Sequence, residues 1–78
     1  MHQDKETTQL SCIGMKCPRP IIEIAKAARK SPSGSLLRVQ ADDLAFGSDV
    51  QAWCETRNAA LLSLKQEDNI YTALIQLA

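Results

Sequence analysis

This chain has no excess of basic charge, few aromatic side chains, one histidine and few glycines, and each shortage removes a class of function. Nine Lys and Arg balance nine Asp and Glu, whereas a nucleic-acid surface needs a basic surplus to displace counterions. One Phe, one Tyr and one Trp cannot build the stacking platforms that hold single strands. Three glycines form no phosphate-cradling loop, and a lone histidine, His2 in a polar terminus, supports no Ser/His/Asp set. Cys12, Cys17 and Cys54 are odd in number and give neither a C-x-x-C pair nor paired zinc-ligand spacing, which argues against a disulfide scaffold and a structural metal. No stretch reaches the ~18 consecutive apolar residues of a membrane helix, so no membrane insertion is expected. Nothing in the sequence calls for a cofactor.

The 78 residues are enough for one hydrophobic core and too few for two. Met1-His2-Gln3-Asp4-Lys5-Glu6 is polar and lacks the apolar segment of a signal peptide, so it is expected to be a disordered leader to a single domain over 7–78, in a cytoplasmic protein.

What the chain does have is Cys17-Pro18-Arg19-Pro20, a thiol beside two prolines just ahead of an apolar-periodic run. Proline fits the first turn of a helix, where the N–H it lacks would have no intrahelical partner. Pro18 therefore favours Cys17 as the cap of a helix beginning at Pro18, or, since Arg19 also precedes a proline, the helix begins at Pro20 with Arg19 as cap. Either start leaves the thiol near the positive end of the helix dipole, flanked by Lys16 and Arg19. Bringing a thiol from ~8.5 to mostly thiolate at neutral pH takes about 2 kcal/mol, which a partly buried helix end can supply. The expectation is an accessible Cys17 that titrates below the ordinary thiol range and acts as a nucleophile.

Turn residues divide the rest. Thr7 to Ile13 reads as a short strand with Thr8, Leu10 and Cys12 on one face, broken by Gly14. A helix then runs to about Lys30, burying Ile21, Ile24, Ala25 and Ala28. Leu36 to Ala41 is a second strand, with Leu37, Val39 and Ala41 on one face. A second helix spans Ala45 or Phe46 to about Asn58, carrying Val50, Trp53, Cys54 and Arg57 at helical spacing, with Asp43 placed to cap it. Leu61 to Gln66 and Ile70 to Leu77 form a closing hairpin about Glu67-Asp68-Asn69. The order βαβαββ predicts an α/β two-layer sandwich, two helices packed on one face of a four-stranded mixed sheet. Leu36, Leu61 and alternate residues of the last strand would make part of the other face apolar and open to self-association. Cys12 and Cys54 read as core, and Asp42, Asp43 and Asp49 as loop and capping residues.

Leu10-Ser11-Cys12-Ile13-Gly14-Met15-Lys16-Cys17-Pro18-Arg19-Pro20 resembles the leading strand and C-P-x-P signature of the TusA-like, or SirA-like, sulfur carriers. Ala41-Asp42-Asp43-Leu44-Ala45, Asp49-Val50 and Trp53-Cys54 are similar in order and spacing to that family's second segment, so the likeness runs from Leu10 to the C-terminus. The resemblance implies a sandwich like the C-terminal domain of translation initiation factor three. It also implies an activity: Cys17 accepts sulfane sulfur as a persulfide from a cysteine desulfurase or rhodanese and relays it to a downstream acceptor protein. Lys16, Pro18, Arg19 and Pro20 would form the binding surface around it. Arg19 stands where a familiar tRNA-thiolation form has an acidic residue, and a reversed charge beside the sulfur is expected to change partner choice.

Two other functions fit the same residues. A non-catalytic regulatory or protein-binding module would use the helix end and open sheet face only for docking. A peroxidase-like thiol would need Cys12 to resolve an oxidised Cys17.

Overall fold

In a computed structural model, which describes residues 7–78, the chain runs β1 (Thr7–Cys12), α1 (Arg19–Arg29), β2 (Leu36–Ala41), α2 (Phe46–Arg57), β3 (Ala60–Glu67) and β4 (Ile70–Gln76). The expected leader over 1–6 lies outside the described residues. The four strands form one mixed sheet in the order β1-β2-β4-β3, with β1 and β2 parallel and the other neighbours antiparallel. This is the βαβαββ sandwich that the sequence predicts.

The layers follow from the alternation in β2. Leu37, Val39 and Ala41 are buried while Arg38 and Gln40 are exposed, so one face of this central strand turns to the helices and the other to water. Its buried residues align with Thr8, Leu10 and Cys12 of β1 and with Ile75, Ala73 and Tyr71 of β4. On that face, α1 contributes Ile24, with Ile21, Ala27 and Ala28 packed around it, and α2 contributes Phe46, Val50 and Cys54. α1 lies over β1 and β2, and α2 over β3 and β4, leaving a groove between the helices.

Three expectations change. α1 begins at Arg19 with Pro18 as its cap, between the two predicted starts: the Pro18 carbonyl accepts the Ile22 N–H at 3.1 Å, and Pro20 occupies the first turn. In β3 the register shifts between Leu61 and Ser63, and this bulge puts both Leu61 and Leu64 against the core. Leu61 therefore does not face outward. The open face carries cross-strand rows such as Gln9, Arg38, Leu74 and Ser63, then Ser11, Gln40, Thr72 and Lys65, so it is mostly polar, with Leu36, Ile70 and Leu74 as its apolar members. Asp43 does not cap α2 through its side chain; only its carbonyl accepts the Phe46 N–H, at 3.0 Å.

α2 ends where Asn58 takes φ 58°, a left-handed angle that asparagine tolerates, and its N–H returns to the last turn. β3 and β4 are then joined by Asp68 and Asn69, flanked by the paired Glu67 and Ile70.

Ile24 is wholly buried beneath the sheet and touches the core of both layers. Ile24→Ala should cost about 2–5 kcal/mol in urea unfolding, as core truncations do; a loss below ~1 kcal/mol would mean that α1 is not anchored through this residue.

Candidate functional site

The site grows from the carboxyl ends of the two parallel strands. Because Cys12 is aligned with Ala41, the loops that leave β1 and β2 emerge side by side, the place where α/β sheets bind ligands. The first loop must turn sharply and then enter α1. Gly14 makes the turn at φ +84°, an angle that costs glycine nothing. The loop's N–H groups cannot join the sheet, and the second loop supplies their acceptors. The Asp42 carboxylate accepts the Gly14 N–H at 2.9 Å, and the Asp43 carboxylate accepts the Cys17 N–H at 2.9 Å.

These two bonds present Cys17 one residue outside the cap of α1, across a cis Cys17–Pro18 peptide. Of the three thiols, Cys12 and Cys54 are buried and Cys17 is exposed. Burial pushes the Cys12 and Cys54 thiols up, with the Glu23 charge adding to the effect at Cys12. Both are core residues, as the sequence suggests. Cys12 is only 1% exposed and belongs to the core, an unfavourable place for a resolving thiol.

Lys16, Pro18 and Arg19 are exposed around Cys17, whereas Pro20 is buried in the first turn of α1. Leu44, 82% exposed and next to Asp43, places an apolar side chain on the neighbouring loop. Beyond the sulfur, Cys17, Pro18 and Ile21 form one wall of the groove between the helices, and Asp49, Ala52, Trp53, Thr56 and Arg57 of α2 form the other. The groove has a volume of about 440 Å³. The Arg57 guanidinium sits over the Trp53 ring, 5.9 Å from its centroid.

The expected low pKa of Cys17 is overturned. Hydrogen bonding to the Asp49 carboxylate is the largest influence and favours the protonated thiol; desolvation follows, and the negative charges of Asp49 and then Asp43 add to it, so the thiol is held above its ordinary range. Lys16, Arg19 and the helix end are the neighbours visible in the local sequence, whereas the carboxylates that push the thiol up come from distant segments. Asp43 and Asp49 are thus more than loop and capping residues: Asp43 fixes the backbone of Cys17, and Asp49 lines the groove with its thiol and pushes it up. Among the described residues no group of three or more His, Cys, Asp or Glu could hold a metal ion, and no helix is long and apolar enough to cross a membrane.

Comparison with known proteins gives one consistent result. The family model described as "Sulfurtransferase TusA" matches residues 8–77. A protein of Neisseria meningitidis serogroup A with the name "Putative sulfur carrier protein NMA0882" is 33% identical over 67 residues, covering 86% of this chain and 90% of its own length. A "Putative sulfur carrier protein" of Aquifex aeolicus is 31% identical over 78 residues, covering all of this chain and 40% of its own.

Asp49→Asn removes the charge and replaces a carboxylate acceptor by the weaker amide oxygen. The midpoint of Cys17 alkylation by neutral iodoacetamide, followed against pH, should move down, so that alkylation at a fixed pH below the midpoint becomes faster. An unchanged or higher midpoint would show that Asp49 does not control this proton.

Proposed function

Because the chain belongs to the TusA sulfurtransferase family, we propose that it carries sulfur on Cys17, taking it as a persulfide from a donor protein and handing it to an acceptor protein. The observation that carries this reading is the contrast among the thiols: two are buried, and the third stands exposed at a helix start, held by an aspartate from another segment. The chemistry is balanced without an oxidant. The Cys17 sulfur attacks the outer sulfur of a donor persulfide, R–S–SH. The new S–S bond forms as the donor's S–S bond breaks, and the electron pair of the broken bond stays on the inner donor sulfur. Cys17 loses one proton and the departing thiol gains one, giving Cys17–S–SH and R–SH. The Asp49 carboxylate, which lines the groove with Cys17 and favours the protonated thiol, would receive that proton. Delivery is the same reaction run onto an acceptor thiol, with Cys17 as the leaving group.

A raised thiol pKa suits a carrier. A thiol that is mostly protonated at neutral pH reacts slowly with stray electrophiles, and its chemistry waits for a partner that is held in place. The surroundings of Cys17 are made for such a partner, with exposed Lys16 and Arg19 on one side and exposed Leu44 on the next loop. A cysteine desulfurase or a rhodanese is the donor class that fits, since both carry sulfane sulfur on a cysteine. Three free thiols with no partner among them fit a reducing compartment such as the cytoplasm.

Cys17→Ala should abolish sulfur uptake from a persulfide donor, read as the gain of one sulfur atom by intact mass, while leaving the fold unchanged. Cys54→Ala should lose ~1 kcal/mol of stability and still load. Loading of the Cys17 variant, or loss of loading in the Cys54 variant, would place the chemistry elsewhere. Arg19→Glu should slow transfer with protein partners more at low salt than at high salt, since an exposed charge acts mainly on association. If reaction with a small neutral disulfide slows equally, Arg19 tunes the thiol and does not select partners.

A further inference from the structure

The groove that begins at Cys17 has a chemical polarity. Asp49, Trp53 and Arg57 are spaced four residues apart on α2 and all line the same wall, so they form a row in which each step is about 6 Å along the helix axis. An extended peptide presents every second side chain on one face, about 6.6 Å apart. The two repeats match over three side chains. A chain laid in the groove with its cysteine at Cys17 would put its third residue on the Trp53 ring and its fifth at Arg57.

The walls say what those residues should be. Ile21, Ala52 and Trp53 make the middle of the groove apolar. Arg57 is exposed, and the one ion pair among the described residues is between Lys26 and Glu23, so Arg57 has no carboxylate partner there. Its guanidinium lies over the Trp53 ring, an arrangement that limits its motion and leaves its edge donors for a planar acid. We infer that the α1–α2 groove binds an extended segment of the sulfur-donating protein, in which the persulfide cysteine is separated by four positions from an acidic residue, with an apolar residue midway. Arg57 and Trp53 are then specificity determinants, remote from the reacting sulfur. This rests on the sulfur-carrier reading for the identity of the cysteine, and binding can be measured without sulfur transfer.

Trp53 is the only tryptophan in the chain, so its fluorescence reports on the groove directly. The probes are acetyl-Ser-Ser-Leu-Ser-Glu-amide, its reversed-order counterpart, and forms with Gln or Lys in place of Glu or Ser in place of Leu. In low salt the Glu peptide of the productive direction should bind roughly fivefold more tightly than the Lys peptide, the size expected of an exposed ion pair. The preference should vanish in Arg57→Ala and invert in Arg57→Glu, and the Leu-to-Ser peptide should bind more weakly. The same order should appear in the rate at which the matching cysteine persulfide peptides load Cys17, each rate taken relative to that of the small persulfide of N-acetylcysteine amide with the same protein, which carries no side chain to reach Arg57. No fluorescence change, or equal binding of Glu, Gln and Lys peptides, overturns the groove assignment. Failure of the small persulfide to load wild-type protein instead overturns the carrier reading, and the fluorescence order still decides what the groove binds.

Discussion

The site depends on two hydrogen bonds between loops. Asp42 and Asp43, at the end of β2, accept the N–H groups of Gly14 and Cys17, at the end of β1. A loop carrying Pro18 and Pro20 has few backbone donors with which to hold itself, and those it has lie outside the sheet ladder and the helix. Without acceptors, the segment between Cys12 and Arg19 would have only short turns, such as Met15 N–H to the Cys12 carbonyl at 3.2 Å, to define it. Carboxylates on N–H groups are among the stronger hydrogen bonds, and here they turn a flexible entry to α1 into a fixed mount for a thiol. The parallel pairing of β1 and β2 is what brings donor and acceptor loops together, so the fold reaches the sulfur through these two bonds.

The same arrangement sets the chemistry. An exposed thiol at a helix start beside Lys16 and Arg19 would ordinarily ionise early. Asp49 from α2 and Asp43 from the β2 loop act the other way and favour the protonated thiol. The result is a thiol that is exposed and held above its ordinary range. In the proposed function, selectivity would come from the partner's fit to the groove and the charged rim.

Much of this architecture is legible in the sequence, and the exceptions share a cause. β2 reads to the residue because its period-two alternation is set by burial of one face, visible within six residues. The helices read nearly as well, because Ile24, Val50 and Cys54 recur at helical spacing. The bulge in β3 is not legible: which of Leu61, Leu62 and Leu64 face inward depends on pairing with β4, and three leucines in four positions fit either register. The place of Cys17 at the start of α1 is legible from its two prolines, whereas its electrostatics are not, because Asp43 lies 26 residues away and Asp49 lies on another element. A signal for the first was present. A βαβ start implies parallel neighbours whose exit loops adjoin, and a pair of aspartates in one such loop beside a proline-bearing loop with unpaired N–H groups in the other predicts the contact.

The central claim is that the aspartate-held loop makes Cys17 the sulfur-bearing residue. Mapping the loaded protein by tryptic fragments tests it most directly, since cleavage after Lys16 separates Cys12 from Cys17. After exposure of the wild-type chain to a persulfide donor without reductant, the added sulfur should lie on the fragment that begins at Cys17, with the Cys12 and Cys54 fragments unchanged. Sulfur on either of those two fragments, or none on the fragment that begins at Cys17, would contradict the account.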